Sequence, residues 1–479
     1  MIVVGGGPGG AAAAFHLARA GVDVLILERE VFPRDKVCGD FLGPAALVDL
    51  ADMGLPQRAD YLRTNVIRRA ALHLDGKLLV RRTLPKIAGL PDYGRVIPRA
   101  RLDAWLAEAA CRAGARLREG VQVTALASEA GGVLVQTRGA KASQCWRARL
   151  LIGADGSHSI CAQFLRGCPP GWRERIFAVR AYLDDCRGPE DEASLFFSSR
   201  LFPGYYWLFP TGNGRANVGL GVLPGSFPRL TPELRRKLEA GLMQDPALRS
   251  RVESARTSAP PAGWPLNTYQ PGARLAGRRV LLVGDAASLV NPLNGEGIQY
   301  ALLSGKLAAQ AARRSLETGS FTDADLESYA AQVRDRIGSD LLLAHLLIRT
   351  IANRSLNPLW LEALRLICTR ARLDPGYGER VGGLLAGSLP FREALSRKVL
   401  LGTLEQAAAR SAFRAAWSLV RGPSAWAGAA IGAAGLGFTA ACDVARDPQG
   451  FLRWGAGAAE AALRSLAVLP RLRTGKRPA

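Results

Sequence analysis

Apolar positions follow two rhythms along this chain. Met1 to Val4 and Val22 to Leu27 are short, nearly unbroken apolar runs, and an Ala-rich stretch from Gly9 to Ala20 lies between them. Runs of this kind suit strands buried on both faces of a parallel sheet, and the stretch between them has the composition of a helix. Leu150 to Ile152 and Val280 to Val283 repeat the buried-strand pattern. Leu102 to Ala113 reads as a helix, and Leu117 to Thr137 alternates as strands do. A long helix is predicted from Gly297, and the chain is mainly helical from Asp323 onward. Between 172 and 270 the rhythm changes. Strand-like runs such as Ser194–Phe197 and Ala216–Val222 are separated by Gly and Pro turns, which predicts a second sheet.

The pattern implies an α/β chain. A Rossmann-like nucleotide-binding domain is expected in three pieces, 1–65, 96–170 and 276–330. A β-rich substrate domain is expected at 66–95 and 171–275, and a helical C-terminal region at 331–479. No internal repeat or long low-complexity linker interrupts this division.

Composition narrows the class. Hydrophobic residues are 48% of 479, enough for a sizeable core. Lys and Arg number 63 against 41 Asp and Glu, a net charge of +22, which favours anionic partners. No basic run interleaves with aromatics and no zinc-finger spacing occurs, so nucleic acid is not expected. The eight cysteines, Cys38, Cys111, Cys145, Cys161, Cys168, Cys186, Cys368 and Cys442, form no CxxC pair, as in a reduced cytosolic enzyme. No metal is expected. The start lacks the basic leader of a signal peptide, and its first strand is short enough to leave open a start further upstream. The longest uncharged stretch, Gly422 to Cys442, is mostly Gly and Ala and too weakly apolar for a membrane span, which needs about 20 strongly apolar residues.

Three motifs carry chemistry. Gly5-Gly-Gly7-Pro-Gly-Gly10 is a G-x-G-x-x-G between a strand and a helix. Gly5 permits the tight turn, Gly7 a close approach to a pyrophosphate, and Gly10 close helix–strand packing. The helix N-terminus then offers free N–H groups to the diphosphate. Glu28, at the end of the second strand, can accept from ribose hydroxyls, with Arg29 beside it. Gly153-Ala-Asp155-Gly156 and Gly284-Asp285-Ala-Ala287 each follow a strand and put an Asp at its carboxyl end. Each could also be a turn with a helix-capping Asp.

The order GxGxxG, GADG, GDAA resembles the flavoproteins related to para-hydroxybenzoate hydroxylase, over about residues 1–310. The resemblance implies FAD at the first and third motifs, and reduced nicotinamide near the GADG segment. Arg99 matches an arginine placed ahead of a helix near the flavin. Finer motifs resemble the geranylgeranyl reductases: Phe32 to Asp40 with Cys38, Gly204-Tyr205-Tyr-Trp207-Leu-Phe209-Pro210, Asn217-Val-Gly219-Leu-Gly221, and Asn291-Pro292-Leu-Asn294-Gly295-Glu296-Gly297-Ile298. The last implies backbone N–H groups that stabilise an anionic flavin. Asn294 stands where Thr is usual and Ser288 where Gly is usual. Thr211 stands where many relatives are basic, which puts recognition of a substrate phosphate there in doubt.

The implied activity is reduction of isolated C=C bonds in a prenyl chain by FAD, with NADPH or another reductant, such as an electron-donor protein, behind it. Tyr205, Trp207 and Phe209 would wall the cavity, although alternating aromatics also make ordinary packed sheet faces. Cys38 would touch flavin or substrate, although a lone Cys is commonly buried and inert. The alternative activity is a flavin-dependent monooxygenase or halogenase. Against it, the chain lacks GDAAH with a later GQG, and lacks W-x-W-x-I-P. A non-enzymatic flavin scaffold is the third reading. From Pro390 to Ala479 there are 13 basic and 5 acidic residues. Arg410, Arg414 and Arg421 alternate there with Phe413, Trp417 and Leu419, as on a basic, apolar face that docks on anionic lipid. The expected location is cytoplasmic, peripheral on the inner face of the membrane.

Overall fold

The structure is a computed structural model. It describes residues 1–407 except 140–142, 168–174, 224–225, 227–232, 391–392, 395, 397 and 404, and also describes 454–456 and 459. The basic, aromatic stretch around Arg410–Arg421, the Gly/Ala-rich stretch 422–442, Cys168 and Cys442 lie outside the described residues.

Six strands form the first sheet, in the order Ala276–Gly277, Val280–Leu282, Leu151–Gly153, Ile2–Val4, Leu25–Leu27, Arg116–Arg118. All pair in parallel except the edge strand Ala276–Gly277. Val3 aligns with both Ile152 and Ile26, and Ile152 with Leu281, so the apolar runs lie side by side. The four central strands are buried throughout, which is why they read as unbroken apolar runs. Helices Pro8–Arg19, Arg99–Arg112 and Ile298–Thr318 pack together against this sheet. Small residues let the first and third of these approach closely. A Cβ on Gly305 would lie 3.1 Å from the Ala13 nitrogen and 3.2 Å from the Ala12 Cβ.

The second sheet runs Arg256–Thr257, Arg175–Asp184, Arg215–Val222, Tyr205–Gly212, Glu192–Phe197, Arg69–Leu74, Lys77–Thr83, with Ala262–Asn267 also paired to Arg175–Asp184. Two of its strands come from the segment before the helix Arg99–Arg112. Arg69–Leu74 joins in parallel to Glu192–Phe197, with Leu72 opposite Leu195.

Alternation gives this sheet two different faces. Val179, Ala181, Leu183, Phe196, Tyr206, Leu208, Val218, Leu220 and Val222 form a buried cluster with Leu234, Leu238, Leu248 and Val252. The last four belong to helices Glu233–Gln244 and Pro246–Val252. Truncating a fully buried Phe196 to Ala would cost about 3–5 kcal/mol. The opposite face turns toward the first sheet's ligand end, where Asn267 Nδ2 donates to the Ser157 carbonyl at 2.8 Å.

Helices Asp323–Val333, Ser339–Ile351, Asn357–Leu373 and Pro375–Leu385 follow. The first packs into the core of the first sheet, and the last two close the far end of that opposite face. Leu72, Val80, Leu195 and Phe197 pack there with Leu364, Ile367, Cys368 and Tyr377. No described helix is long and apolar enough to cross a membrane.

Candidate active site

Glycine geometry shapes the first loop. Gly5 has φ +98°, and a Cβ there would collide with the Ala154 carbonyl. A Cβ on Gly10 would overlap the Gly5 oxygen. A Cβ on Gly7 would meet nothing nearer than Arg34 Nη2 at 3.6 Å, so space lies open in front of it. Gly7 is the N-cap of Pro8–Arg19 and provides no side-chain cap, leaving the first amides for an anion. Glu28 is 4% exposed; its Oε2 accepts from the Gly6 amide at 2.7 Å and its Oε1 from the Glu30 amide at 3.1 Å. These features fit a dinucleotide pyrophosphate with a carboxylate at the ribose position.

A cationic cluster faces the loop. Arg99 grips Asp103 with two bonds of 2.6 Å, and Arg34 Nη1 adds a third at 2.7 Å. Burial works against the Asp103 carboxylate, yet Arg99, Arg34 and Lys36 outweigh it and hold its pKa below the usual range. Lys36 Nζ lies 3.2 Å from Asp285 Oδ2, which also accepts from Ser157 Oγ at 3.2 Å. Burial opposes the Asp285 charge too, and Lys36 again wins.

The segment after the strand Val280–Leu282 is built on unusual backbone angles. Gly284 has φ +56°, and its amide donates to Ser304 Oγ at 3.0 Å. Ser288 has φ +61°, the left-handed region that glycine adopts freely, which explains why glycine is usual there. Its fully buried hydroxyl accepts from Arg166 Nη1 at 3.1 Å. Further on, the turn closes on itself. Asn291 donates its amide to the Glu296 carbonyl at 2.8 Å, Gly295 to the Asn291 carbonyl at 2.9 Å, and Glu296 to Asn294 Oδ1 at 3.0 Å. Asn294 thus serves as the turn's acceptor in place of a threonine. Gly295 sits at φ +72°, Pro292 and Ile298 are buried, and Gly297 is the uncapped start of Ile298–Thr318. Burial pushes Glu296 up to about 8. Its carboxyl faces the turn at Gly387, where a Cβ would lie 2.6 Å from Oε2.

Opposite these elements, strand register builds a trough. Tyr205, Trp207 and Phe209 share one face of their strand, and the residues aligned with the first two on the neighbouring strand are Gly221 and Gly219. The indole of Trp207 lies over Gly219, where a Cβ would come within 2.5 Å of Cε2 and Cη2. Neighbouring rings stand 6.4 Å apart for Tyr205–Trp207 and 6.3 Å for Trp207–Phe209. Trp207 Nε1 donates to Asn217 Oδ1 at 2.9 Å, and Tyr205 OH to the Asn294 carbonyl at 2.5 Å. The second bond ties the aromatic wall to the turn before Ile298–Thr318. Gly39 closes one corner, with its Cβ position 3.2 Å from Phe209 Cε2 and 3.5 Å from Trp207 Nε1.

Comparison with known proteins shows the family. Residues 1–174 match the FAD binding domain family and 177–237 the geranylgeranyl reductase catalytic domain family. The chain is 36% identical over 321 residues to a menaquinone reductase of Mycobacterium tuberculosis, covering 65% of this chain and 75% of that protein. It is 30% identical over 374 residues to digeranylgeranylglycerophospholipid reductase 2 of Methanopyrus kandleri, covering 75% and 89%. The chain belongs to the geranylgeranyl reductase family of FAD-dependent oxidoreductases. A solved geranylgeranyl bacteriochlorophyll reductase-like protein from Thermoplasma acidophilum shares the fold, with a TM-score of 0.65 at 23% identity over 84% of this chain and 94% of that one. A flavin-dependent halogenase shares it as well, with a TM-score of 0.65 at 22% identity over 77% and 71%.

Within this geranylgeranyl reductase family member, most sequence-predicted residues converge. Gly5, Gly7, Gly10, Glu28, Arg99, Gly284, Asp285, Pro292, Gly295, Gly297 and Ile298 gather around the glycine loop and the start of Ile298–Thr318, with Cys38, Tyr205, Trp207 and Phe209 across from them. Two are placed differently. Arg29 is half-exposed and turns to Glu30 at 3.2 Å. Asp155 lies with its backbone against Gly5, but its carboxylate caps the next helix, accepting from Ser159 Oγ at 2.5 Å and the Ile160 amide at 2.7 Å. The cysteine thiol is raised by burial, with Arg99 pulling the other way. Residues not singled out from the sequence also enter the site: Arg34, Lys36, Asp103 and Ser157 by the glycine loop and Asp285, and Asp40, Arg180 and Tyr182 beside the aromatic row, where Asn217 of the quoted Asn217–Gly221 motif joins them. Arg34, Lys36 and Asp40 lay inside a motif already noticed. Arg180 and Tyr182 carried no local signal.

Proposed function

We propose that this protein is a FAD-dependent reductase of isoprenoid carbon–carbon double bonds. One observation carries the reading: the ring row Tyr205–Trp207–Phe209 lies flat on its sheet because Gly219 leaves room for the indole, and Tyr205 bonds this apolar wall to the turn before Ile298–Thr318. An apolar aromatic wall suits a hydrocarbon chain such as a prenyl tail laid along a ring system. The aromatic row carries one bonded polar atom on each of Tyr205 and Trp207, so it offers a substrate apolar surface without unpaired donors.

FAD, once bound and reduced, supplies hydride to the double bond. The chain's own residues do the rest. The uncapped amides at Gly7 and Gly297 take the diphosphate and the anionic ring edge. Glu28 takes the ribose hydroxyls. Lys36 and Arg99 add positive charge beside the cofactor. The trough excludes water from the reacting carbons. Cys38, held at the trough's corner, contacts the ring or substrate. NADPH or another reductant, such as an electron-donor protein, restores the reduced cofactor. The net positive charge and the basic C-terminal stretch support peripheral docking on an anionic membrane, where prenyl lipids reside.

The test is an anaerobic single turnover. Chemically reduced protein mixed with a prenyl lipid should regain oxidised flavin absorbance without oxygen. Reoxidation that needs both oxygen and an aromatic substrate would assign a monooxygenase instead.

A further inference from the structure

One fully buried carboxyl beside the trough has no part in holding the nucleotide. Asp40 follows Cys38 and Gly39, has φ +63° and is 0% exposed. Its backbone is fixed on both sides: its amide donates to Cys38 Sγ at 3.3 Å, and its carbonyl accepts from the Ile97 amide at 3.0 Å. Its Oδ2 accepts two bonds, from Tyr182 OH at 2.5 Å and Asn217 Nδ2 at 2.8 Å. Its Oδ1 is enclosed and has no partner among the described residues. Asn217 also donates to the Cys38 carbonyl at 2.7 Å and accepts from Trp207, so it links the acid, the cysteine loop and the aromatic wall.

Sheet register puts these groups in one row. Tyr182 aligns with Asn217, and Asn217 with Phe209, across three adjacent strands. They therefore share the trough's face. Next to Tyr182, Arg180 is 2% exposed, stacks over the Tyr182 ring at 4.2 Å and pairs with the more exposed Asp35 at 2.5 Å.

With both acceptor positions of Oδ2 filled, a proton on this carboxyl belongs on Oδ1. We propose that Asp40 is the acid of this site: its Oδ1 carries the proton that the alkene requires, and the Tyr182 hydroxyl, bonded to Oδ2, stabilises the carboxylate left behind. The proposal rests on the alkene-reductase reading above. In the step, hydride from reduced FAD forms a C–H bond at one carbon as the π bond opens. The Asp40 O–H bond breaks, and its proton forms the second C–H bond at the other carbon. The flavin is oxidised by two electrons and the alkene reduced by two. The Asp40 carboxylate left behind keeps its bonds from Tyr182 and Asn217 at Oδ2, and Oδ1 takes its next proton from solvent after the product leaves.

The charged and titratable groups facing Asp40 are Arg180 and Tyr182 on one strand, Arg99 on the helix start, and Cys38 on its own loop. Burial raises Asp40 to about 6, while Tyr182, Asn217, Arg180 and Arg99 oppose the shift. Burial and Asp40 itself raise Tyr182, so it stays protonated and remains a donor to Asp40 Oδ2.

The experiment uses the full-length, FAD-loaded protein with Asp40→Asn and Tyr182→Phe. Single-turnover reoxidation by a prenyl lipid is followed against pH, and infrared difference spectra follow the carboxylic-acid C=O band. Wild type should lose rate about tenfold per pH unit above about 6, and the acid band should fade over the same range. Asp40→Asn should lose about 100-fold in rate and lose both the pH limb and the band, with FAD retained. Tyr182→Phe removes a bond that lowers the Asp40 pKa, so it should move the limb and the band to higher pH. An Asp40→Asn protein that keeps the wild-type rate and pH limb overturns the assignment. So does a Tyr182→Phe protein in which neither limb nor band moves. Wild-type protein that no prenyl lipid reoxidises, with the Asp40 band still titrating, defeats the reductase reading itself, and the proposal falls with it.

Discussion

Gly219→Ala is the sharpest perturbation of the trough. The added methyl would sit within 2.5 Å of Trp207 Cε2 and Cη2, closer still to Cζ2. Carbon atoms prefer separations of about 3.5–4.0 Å, so the indole must move by roughly 1 Å. Trp207 is 6% exposed and has nowhere to swing without disturbing Tyr205 or Phe209. Overpacking of this kind costs about 1–3 kcal/mol. The same shift breaks the 2.9 Å bond from Nε1 to Asn217, and an unmet buried donor adds about 1–3 kcal/mol. The combined loss is about 2–4 kcal/mol, because the two terms share one movement. Gly221→Ala is the matched control. Its methyl would meet Trp207 no closer than 3.8 Å at Cζ3, an ordinary contact, so it should be nearly neutral. Denaturant unfolding of the two variants, followed by tryptophan fluorescence, measures the difference. FAD affinity should match wild type in both, since the glycine loop is elsewhere. Turnover of a prenyl lipid should fall in Gly219→Ala alone. Equal midpoints and equal turnover for the two variants would refute the account of the trough floor.

Three other outcomes follow from the site's geometry. Gly10→Ala should purify without flavin, because its Cβ would overlap the Gly5 oxygen and open the loop; flavin absorbance of the purified protein decides it. Asp103→Ala should destabilise the protein by about 3–5 kcal/mol, since it leaves the 3%-exposed Arg99 buried without its carboxylate; a wild-type unfolding midpoint would contradict this. Glu296 has a folded pKa raised to about 8, above its unfolded value of 4.5, so the folded state binds the extra proton between these limits. Stability should therefore fall as pH rises through that window, and Glu296→Gln should flatten the decline; thermal midpoints across that pH range would show whether it does.

Much of the nucleotide side was legible from sequence because its determinants are local. The apolar runs at Ile2–Val4 and Leu151–Gly153, and the glycines at 5 and 10, owe their identity to packing within a few residues or one strand away. The glycine preference at Ser288 became explicable once its φ of +61° was known. Asp155 shows where local reading stops. A turn aspartate can face a ligand or cap the next helix, and the choice depends on where Ser159 and the Ile160 amide point. The Asp40 cluster was out of reach for a different reason. Asp35, Asp40, Arg180, Tyr182 and Asn217 meet only because three strands pair in a particular register, with Tyr182 opposite Asn217 and Asn217 opposite Phe209. A one-residue slip in that register would send Tyr182 to the opposite face, against helices Glu233–Gln244 and Pro246–Val252. Alternation in a strand predicts two faces but not which face a ligand will use.

The central claim is that this protein adds hydrogen to isoprenoid double bonds. The most direct measurement is mass spectrometry of polyprenyl lipids after anaerobic incubation with the reduced, FAD-loaded protein. The account predicts products heavier by one H2 for each reduced double bond, with none formed by Gly10→Ala protein. Unchanged lipids across prenyl head groups, despite bound and reducible FAD, would contradict it.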